Sequence, residues 1–97
     1  MVNYNNSKIY KIQKIGGNSD IYIGSTTKKY LSSRLADYKI SYKNNKTNNK
    51  CFQVFELYGV NNCEIVLIET FQCNTKNELL KKEKCYIGLL KCVNKIA

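Results

Sequence analysis

The segment Lys8-Ile9-Tyr10 and the tripeptide Tyr22-Ile23-Gly24 stand on two short strand-like runs, with eleven residues between the two tyrosines and a Gly16-Gly17-Asn18 turn in the middle. Two alternating runs joined by such a turn predict a β-hairpin, with strands from about Ser7 to Lys14 and from about Asp20 to Ser25. Successive side chains of a strand point to opposite faces, so Tyr10 shares a face with Ile12, while Tyr22 and Gly24 face away from Ile21 and Ile23. The hairpin therefore points two phenols at one surface. A phenol both donates and accepts hydrogen bonds, and it becomes a base near neutral pH only where a neighbouring cation or metal lowers its pKa.

Beyond the hairpin, a helix fits Lys29 to Tyr42, with Thr26 or Thr27 as its N-cap and Leu31, Leu35, Tyr38 and Tyr42 as its apolar stripe. Arg34 falls one turn before Tyr38, on the same face. Cys51 to Tyr58 reads as a short helix closed by Gly59. The continuous apolar run inside Glu64 to Glu69 predicts a well-covered strand, and a last helix spans about Thr75 to Leu90. The order β-β-α-α-β-α predicts an α+β fold, a small three-stranded, mainly antiparallel sheet flanked by helices. A chain of 97 residues is expected to form one domain, 1–97.

The chain has no histidine, which removes His-type metal triads, Ser-His-Asp and Cys-His nucleophile systems from consideration. A general base must then be Tyr, Lys, Cys, a carboxylate or metal-bound hydroxide. The five cysteines form no C-x-x-C pair, which argues for reduced, mostly buried thiols over a zinc site. No apolar run approaches the roughly 18 residues of a membrane helix, and the N-terminus is too polar for a signal peptide. The expected setting is intracellular, cytoplasm or nucleus, with no membrane partner.

A net charge of +9 predicts a polyanionic partner, with nucleic acid foremost. The polar run from Lys43 to Lys50 reads equally well as a solvated loop or a binding loop. Arg34 is the lone arginine among sixteen basic residues, so it stands apart from the lysine bias as the first candidate for a fixed phosphate clamp. Glu83 occupies a helical position between Leu79 or Leu80 and Tyr86 or Ile87, a core-facing slot where an unpaired carboxylate costs several kcal/mol, of the order found for an uncompensated buried ion. It is either half of a buried ion pair or a metal ligand at the edge of a cleft. Mg²⁺ suits the second reading, because it takes one or two carboxylates and completes its shell with waters and phosphate oxygens.

Taken in order, Lys8-Ile9-Tyr10, Tyr22-Ile23-Gly24, Arg34 with Tyr38, Glu83 and Asn94 resemble the GIY-YIG endonuclease domain over nearly the whole chain. Leu57-Tyr58-Gly59 before the third strand and Lys82 to Ile87 around Glu83 are similar to further segments of that family. The resemblance implies a divalent-metal-dependent phosphodiesterase acting on DNA with a single Mg²⁺ or Mn²⁺ and no other small-molecule cofactor. It matches Tyr10 and Tyr22 to the two motif tyrosines, one of which activates or orients the attacking water. It also matches Arg34 to the phosphate-stabilising arginine, Glu83 to the metal ligand, Tyr38 to a position held by histidine or tyrosine, and Asn94 to a supporting asparagine. Lys8 departs from the family's first glycine and is expected to crowd the site or add a phosphate contact. Ser25 replaces a lysine of some repair members, a role open to Lys28 or Lys29. Lys39 and Lys43, on or near the first helix, are further expected phosphate contacts, and Gly24 is a further expected nucleic-acid contact. A catalytically inactive, basic nucleic-acid-binding module is the alternative, and a protein-interaction domain using the Cys51-to-Tyr58 helix is a third.

Overall fold

The computed structural model describes residues 4–17, 21–44, 51–90 and 92. The first strand-like run becomes β1 (Lys8–Lys14), the middle of a three-stranded antiparallel sheet, with β2 (Tyr22–Thr26) on one side and β3 (Cys63–Thr70) on the other. The helices are α1 (Leu31–Asn44), α2 (Cys51–Tyr58) and α3 (Lys76–Leu89), in the expected β-β-α-α-β-α order. Gly16 and Gly17 have positive φ of 92° and 88°, as the turn after β1 demands, and the remainder of that turn, Asn18 and also Asp20, lies outside the described residues. No helix among the described residues is long and apolar enough to cross a membrane.

The two faces of the sheet carry two apolar clusters. On one, Tyr10 and Ile12 pack with Tyr38 of α1 and with Cys51, Val54 and Phe55 of α2, with Tyr22 alongside. On the other, Ile9, Ile21 and Ile23 pack with Cys73, Leu79 of α3 and Cys92. Ile9, Tyr10, Ile12 and Ile23 are wholly buried, each aliphatic contributing about 1.5–3 kcal/mol of burial free energy. Cys51, Cys63, Cys73 and Cys92 are free and buried, as expected of reduced thiols, while Cys85 is exposed.

Two expectations change. The apolar run Cys63–Thr70 is an edge strand with Leu67 45% exposed, whereas the lysine-bearing Lys8–Lys14 is the better-covered middle strand, with only Lys14 exposed. Apolar content does not encode pairing order, and the half-buried Lys8 and Lys11 keep their charged ends outward along a long apolar stem. The first helix begins at Leu31, because Thr26 is still in β2, where its Oγ1 accepts a hydrogen bond from the Lys28 N–H instead of capping the helix. By contrast α3 has a side-chain cap: Thr75, read from the sequence as the start of the helix, is its N-cap and accepts from the Glu78 N–H.

The β1–β2 register sets Tyr10 opposite Gly24 and Ile12 opposite Tyr22, so the two motif tyrosines share a face. The β1–β3 register slips between Ile9 and Tyr10, from Glu69 to Leu67, a bulge at the residue that carries the phenol. Gly24 makes room for that ring: a Cβ there would lie 2.5 Å from both Cζ and Oη of Tyr10. Gly24→Ala is therefore expected to destabilise the fold by about 1–3 kcal/mol through overpacking. In a Tyr10→Ala background the same change should cost little further, and a double-mutant cycle by urea unfolding checks it; additive losses would mean that the ring does not lean on Gly24.

Candidate active site

As the edge strand beside β1, β2 distributes its side chains to both faces. Tyr22 and Gly24 lie on the α1 side, while Ile23 and Ser25 lie on the α3 side. The two helices flank this edge, and a cleft of about 430 Å³ runs between them, lined by Tyr22, Gly24 and Ser25 of β2, Arg34 and Tyr38 of α1, and Lys76 and Glu83 of α3. Tyr10 lies beneath this lining, wholly buried.

One wall is built around Arg34. Its Nε donates to Tyr10 Oη at 3.3 Å, and its Cζ stands 4.6 Å from the centroid of the Tyr38 ring. Tyr10 and Tyr38 share a 2.6 Å hydrogen bond, and Tyr22 meets Tyr38 edge to face with centroids 5.9 Å apart. The guanidinium is thus fixed by a phenol at Nε and by a π face, which leaves its terminal amino groups for an anion. None of the ion pairs among the described residues involves Arg34.

This environment acts on the phenols in the sense opposite to the one a tyrosine base requires. Desolvation, followed by the field of Tyr38 and the hydrogen bond to it, raises the pKa of Tyr10, and Arg34 offsets only part of that rise. Tyr22 is raised as well, by burial first, then by Tyr38 and by the negative charge of Glu83. Both are neutral at physiological pH and serve as hydrogen-bonding groups.

The other wall carries Glu83, half-buried, whose Oε1 accepts a 2.7 Å hydrogen bond from Ser25 Oγ. It forms no salt bridge among the described residues, so the ion-pair reading has no partner. The apolar stripe ends differently from expectation. Leu79 is buried, but Leu80 is 36% exposed, and Glu83 sits at the cleft rim, where water reduces its desolvation cost. Among the described residues no group of three or more His, Cys, Asp or Glu could enclose a metal. A lone, singly hydrogen-bonded carboxylate fits a hard cation that keeps waters and takes phosphate oxygens, as Mg²⁺ does, and does not fit zinc.

The expected lysine contacts separate. Lys28 lines the cleft, ion-paired to Asp37, with both side chains about half exposed. Lys8 does not line it; its Nζ donates to the carbonyls of Asn6 at 3.0 Å and Lys28 at 2.9 Å, tying β1 to the loop before α1. Lys29 lies over the Tyr30 ring, Lys43 is in the last turn of α1, and Lys39 is close enough to Cys63, the first residue of β3, opposite Lys14, to lower its thiol pKa against the larger effect of burial. Asn94 lies outside the described residues. Lys76, which the sequence reading passed over, lines the cleft one helical face below Glu83. Its spacing of seven residues from Glu83 was a readable signal.

With this geometry in place, comparison with known families is direct: the family model of the GIY-YIG catalytic domain matches residues 6–97. The chain belongs to this family of nuclease domains. No curated protein and no solved structure gives a significant match.

The raised phenols predict an alkaline limit to stability. Up to the ordinary phenol pKa near 10 both folded and unfolded chains hold these protons. Above it the unfolded chain releases them while Tyr10 and Tyr22 keep theirs, so stability falls as pH rises. The thiols of Cys51 and Cys63 are raised by burial too, so urea midpoints between pH 8 and 11 should begin to decline near the ordinary thiol pKa of about 8.5 and fall more steeply above about pH 10, with tyrosinate absorbance from the buried pair appearing only on unfolding. Early, gradual ionisation of Tyr10 in the folded protein, followed by its loss in Tyr10→Phe, would contradict this.

Proposed function

We propose that this GIY-YIG domain is a divalent-metal-dependent endonuclease that hydrolyses phosphodiester bonds in DNA. The observation that carries the reading is the convergence of Arg34 and Glu83 from two different helices on one cleft, the cation held by the side chains of Tyr10 and Tyr38 and the carboxylate without a cationic partner among the described residues. Phosphodiester hydrolysis builds negative charge on the nonbridging and leaving oxygens. Preorganised cations and donors aimed at those oxygens stabilise the transition state most where water is excluded.

Arg34 would fork onto the nonbridging oxygens, and a planar guanidinium does this with two parallel hydrogen bonds. Tyr10 and Tyr38 hold that fork in place. Tyr22, neutral and on the cleft wall, would orient the attacking water through its hydroxyl. Glu83 would hold a single Mg²⁺ or Mn²⁺, with Ser25 fixing the carboxylate's orientation. When bound, the ion supplies Lewis-acid stabilisation of charge on the phosphate. Lys76 supplies positive charge in the cleft for neighbouring phosphates, and Lys28 does so less because it is paired with Asp37. The net charge of +9 supports the polyanionic substrate.

Nicking of supercoiled plasmid by the pure protein with Mg²⁺ or Mn²⁺, and its loss in chelator, tests the reading. Glu83→Gln can still accept from Ser25 Oγ, so it should abolish nicking while leaving circular dichroism and DNA affinity nearly unchanged. Wild-type nicking by this variant would remove Glu83 from the chemistry. Arg34→Lys should lose about 10²-fold or more in single-turnover rate with a smaller loss of binding, because an ammonium cannot fork. Equal losses in rate and affinity would make Arg34 a general affinity residue.

Affinity should also fall steeply with salt as bound counterions are released. Lys76→Ala should reduce the slope of log K against log salt by about one if it meets a phosphate. A flat dependence for the wild type would count against nucleic acid as the partner.

A further inference from the structure

The loop between β2 and α1 carries an aromatic side chain that the core does not use. Tyr30 is 61% exposed and belongs to neither apolar cluster, and Lys29 Nζ lies 5.4 Å from its ring centroid. Thr26, Thr27 and Lys28, which precede the Lys29-Tyr30 pair, line the cleft. Two residues span at most about 7 Å, so the Tyr30 backbone lies within that distance of Lys28, a residue of the cleft lining.

The loop is held in place. Lys8 Nζ donates to the Lys28 carbonyl at 2.9 Å, the Lys28 N–H donates to Thr26 Oγ1 at 3.1 Å, and Lys28 Nζ is paired with Asp37 of α1. Immediately after Tyr30, Leu31 packs against the core. An exposed ring on a tethered loop, next to a lysine and two residues beyond Lys28 of a cleft that Arg34 also lines, has the two components of a single-strand site. The cations follow the backbone, and the π face accepts a base of any identity. A base inside a duplex is already stacked on both sides and cannot reach such a ring without leaving its stack.

We infer that Tyr30 receives an unstacked nucleobase next to the phosphate held in the cleft, so that the preferred substrate is DNA with unpaired nucleotides beside the bond to be cut. This rests on the cleft binding a phosphodiester, as proposed above. Lys8 is then a positioning residue: it fixes the loop, and through it the ring.

The test measures binding in chelator-containing buffer, where cleavage does not interfere, with a single-stranded oligonucleotide and a blunt duplex of the same sequence. The wild type should prefer the single strand. Tyr30→Ala should bind that strand about 5- to 150-fold more weakly, the range for loss of one stacked base, and bind the duplex as before, while Tyr30→Phe should restore the wild-type value. The chain has no tryptophan, so Tyr30→Trp places a sole indole at the site, and its emission should be quenched when the single strand binds. Unchanged single-strand affinity in Tyr30→Ala, or unquenched emission from Tyr30→Trp at saturation, overturns the inference. If the wild type also nicks plasmid and binds duplex, the nuclease reading survives that failure. If the wild type neither binds DNA nor nicks it, both fall.

Discussion

The site depends on the close approach of the Tyr10 ring to the backbone of Gly24. Tyr10 lies opposite Gly24 in the β1–β2 register, and its ring occupies the space that any Cβ at position 24 would fill. From there its hydroxyl reaches across to α1, where it meets both Tyr38 and Arg34. A larger residue at position 24 would lift the ring and with it the contact that orients the guanidinium. The motif glycine therefore acts beyond its own place in the cleft lining: it sets the position of a residue that anchors the cation.

The edge position of β2 explains how two helices from opposite faces contribute to one cleft. A middle strand would bury the α1 side and the α3 side away from each other, as β1 does with Tyr10 and Ile9. At an edge the sheet ends, and residues one apart in the strand, Gly24 and Ser25, line the same opening while belonging to different faces. Ser25 meets Glu83 on the α3 side, and Tyr22 meets Tyr38 on the α1 side. Strand alternation at an edge thus brings a carboxylate and a guanidinium to one cavity without either helix crossing the sheet.

This logic separates what was legible in the sequence from what was not. The shared face of Tyr10 and Tyr22 follows from a period of two, and the grouping of Arg34 with Tyr38 follows from one helical turn. Both needed only local geometry. The exposure of Glu83 was not legible, because a helical stripe says which side faces inward and not where the sheet beneath it stops. The middle position of β1 was hidden for a similar reason, since lysine stems cover a sheet as well as aliphatic chains do. The direction of the tyrosine pKa shifts was inaccessible too: it is decided by desolvation and by Tyr38, both of which come from tertiary packing. Lys8 was read against the cleft, yet its ammonium bonds two backbone carbonyls, contacts that no side-chain pattern encodes.

The neutrality of the phenols has a consequence for Arg34. A carboxylate anchor would hold a guanidinium firmly but would cancel much of its charge before any phosphate arrived. Tyr10, whose pKa is raised by burial, holds it through one hydrogen bond and contributes no negative charge at physiological pH, while Tyr38 holds it through a π face. Full charge is worth keeping. A pair of unit charges about 4 Å apart at an effective dielectric near 20 interacts by about 4 kcal/mol. If that interaction were realised only as charge grows on the phosphate oxygens, it would correspond to roughly a thousandfold in rate. The same burial that prevents Tyr10 from acting as a base therefore makes it a suitable anchor, and the sole arginine of the chain stays free to answer charge in the cleft.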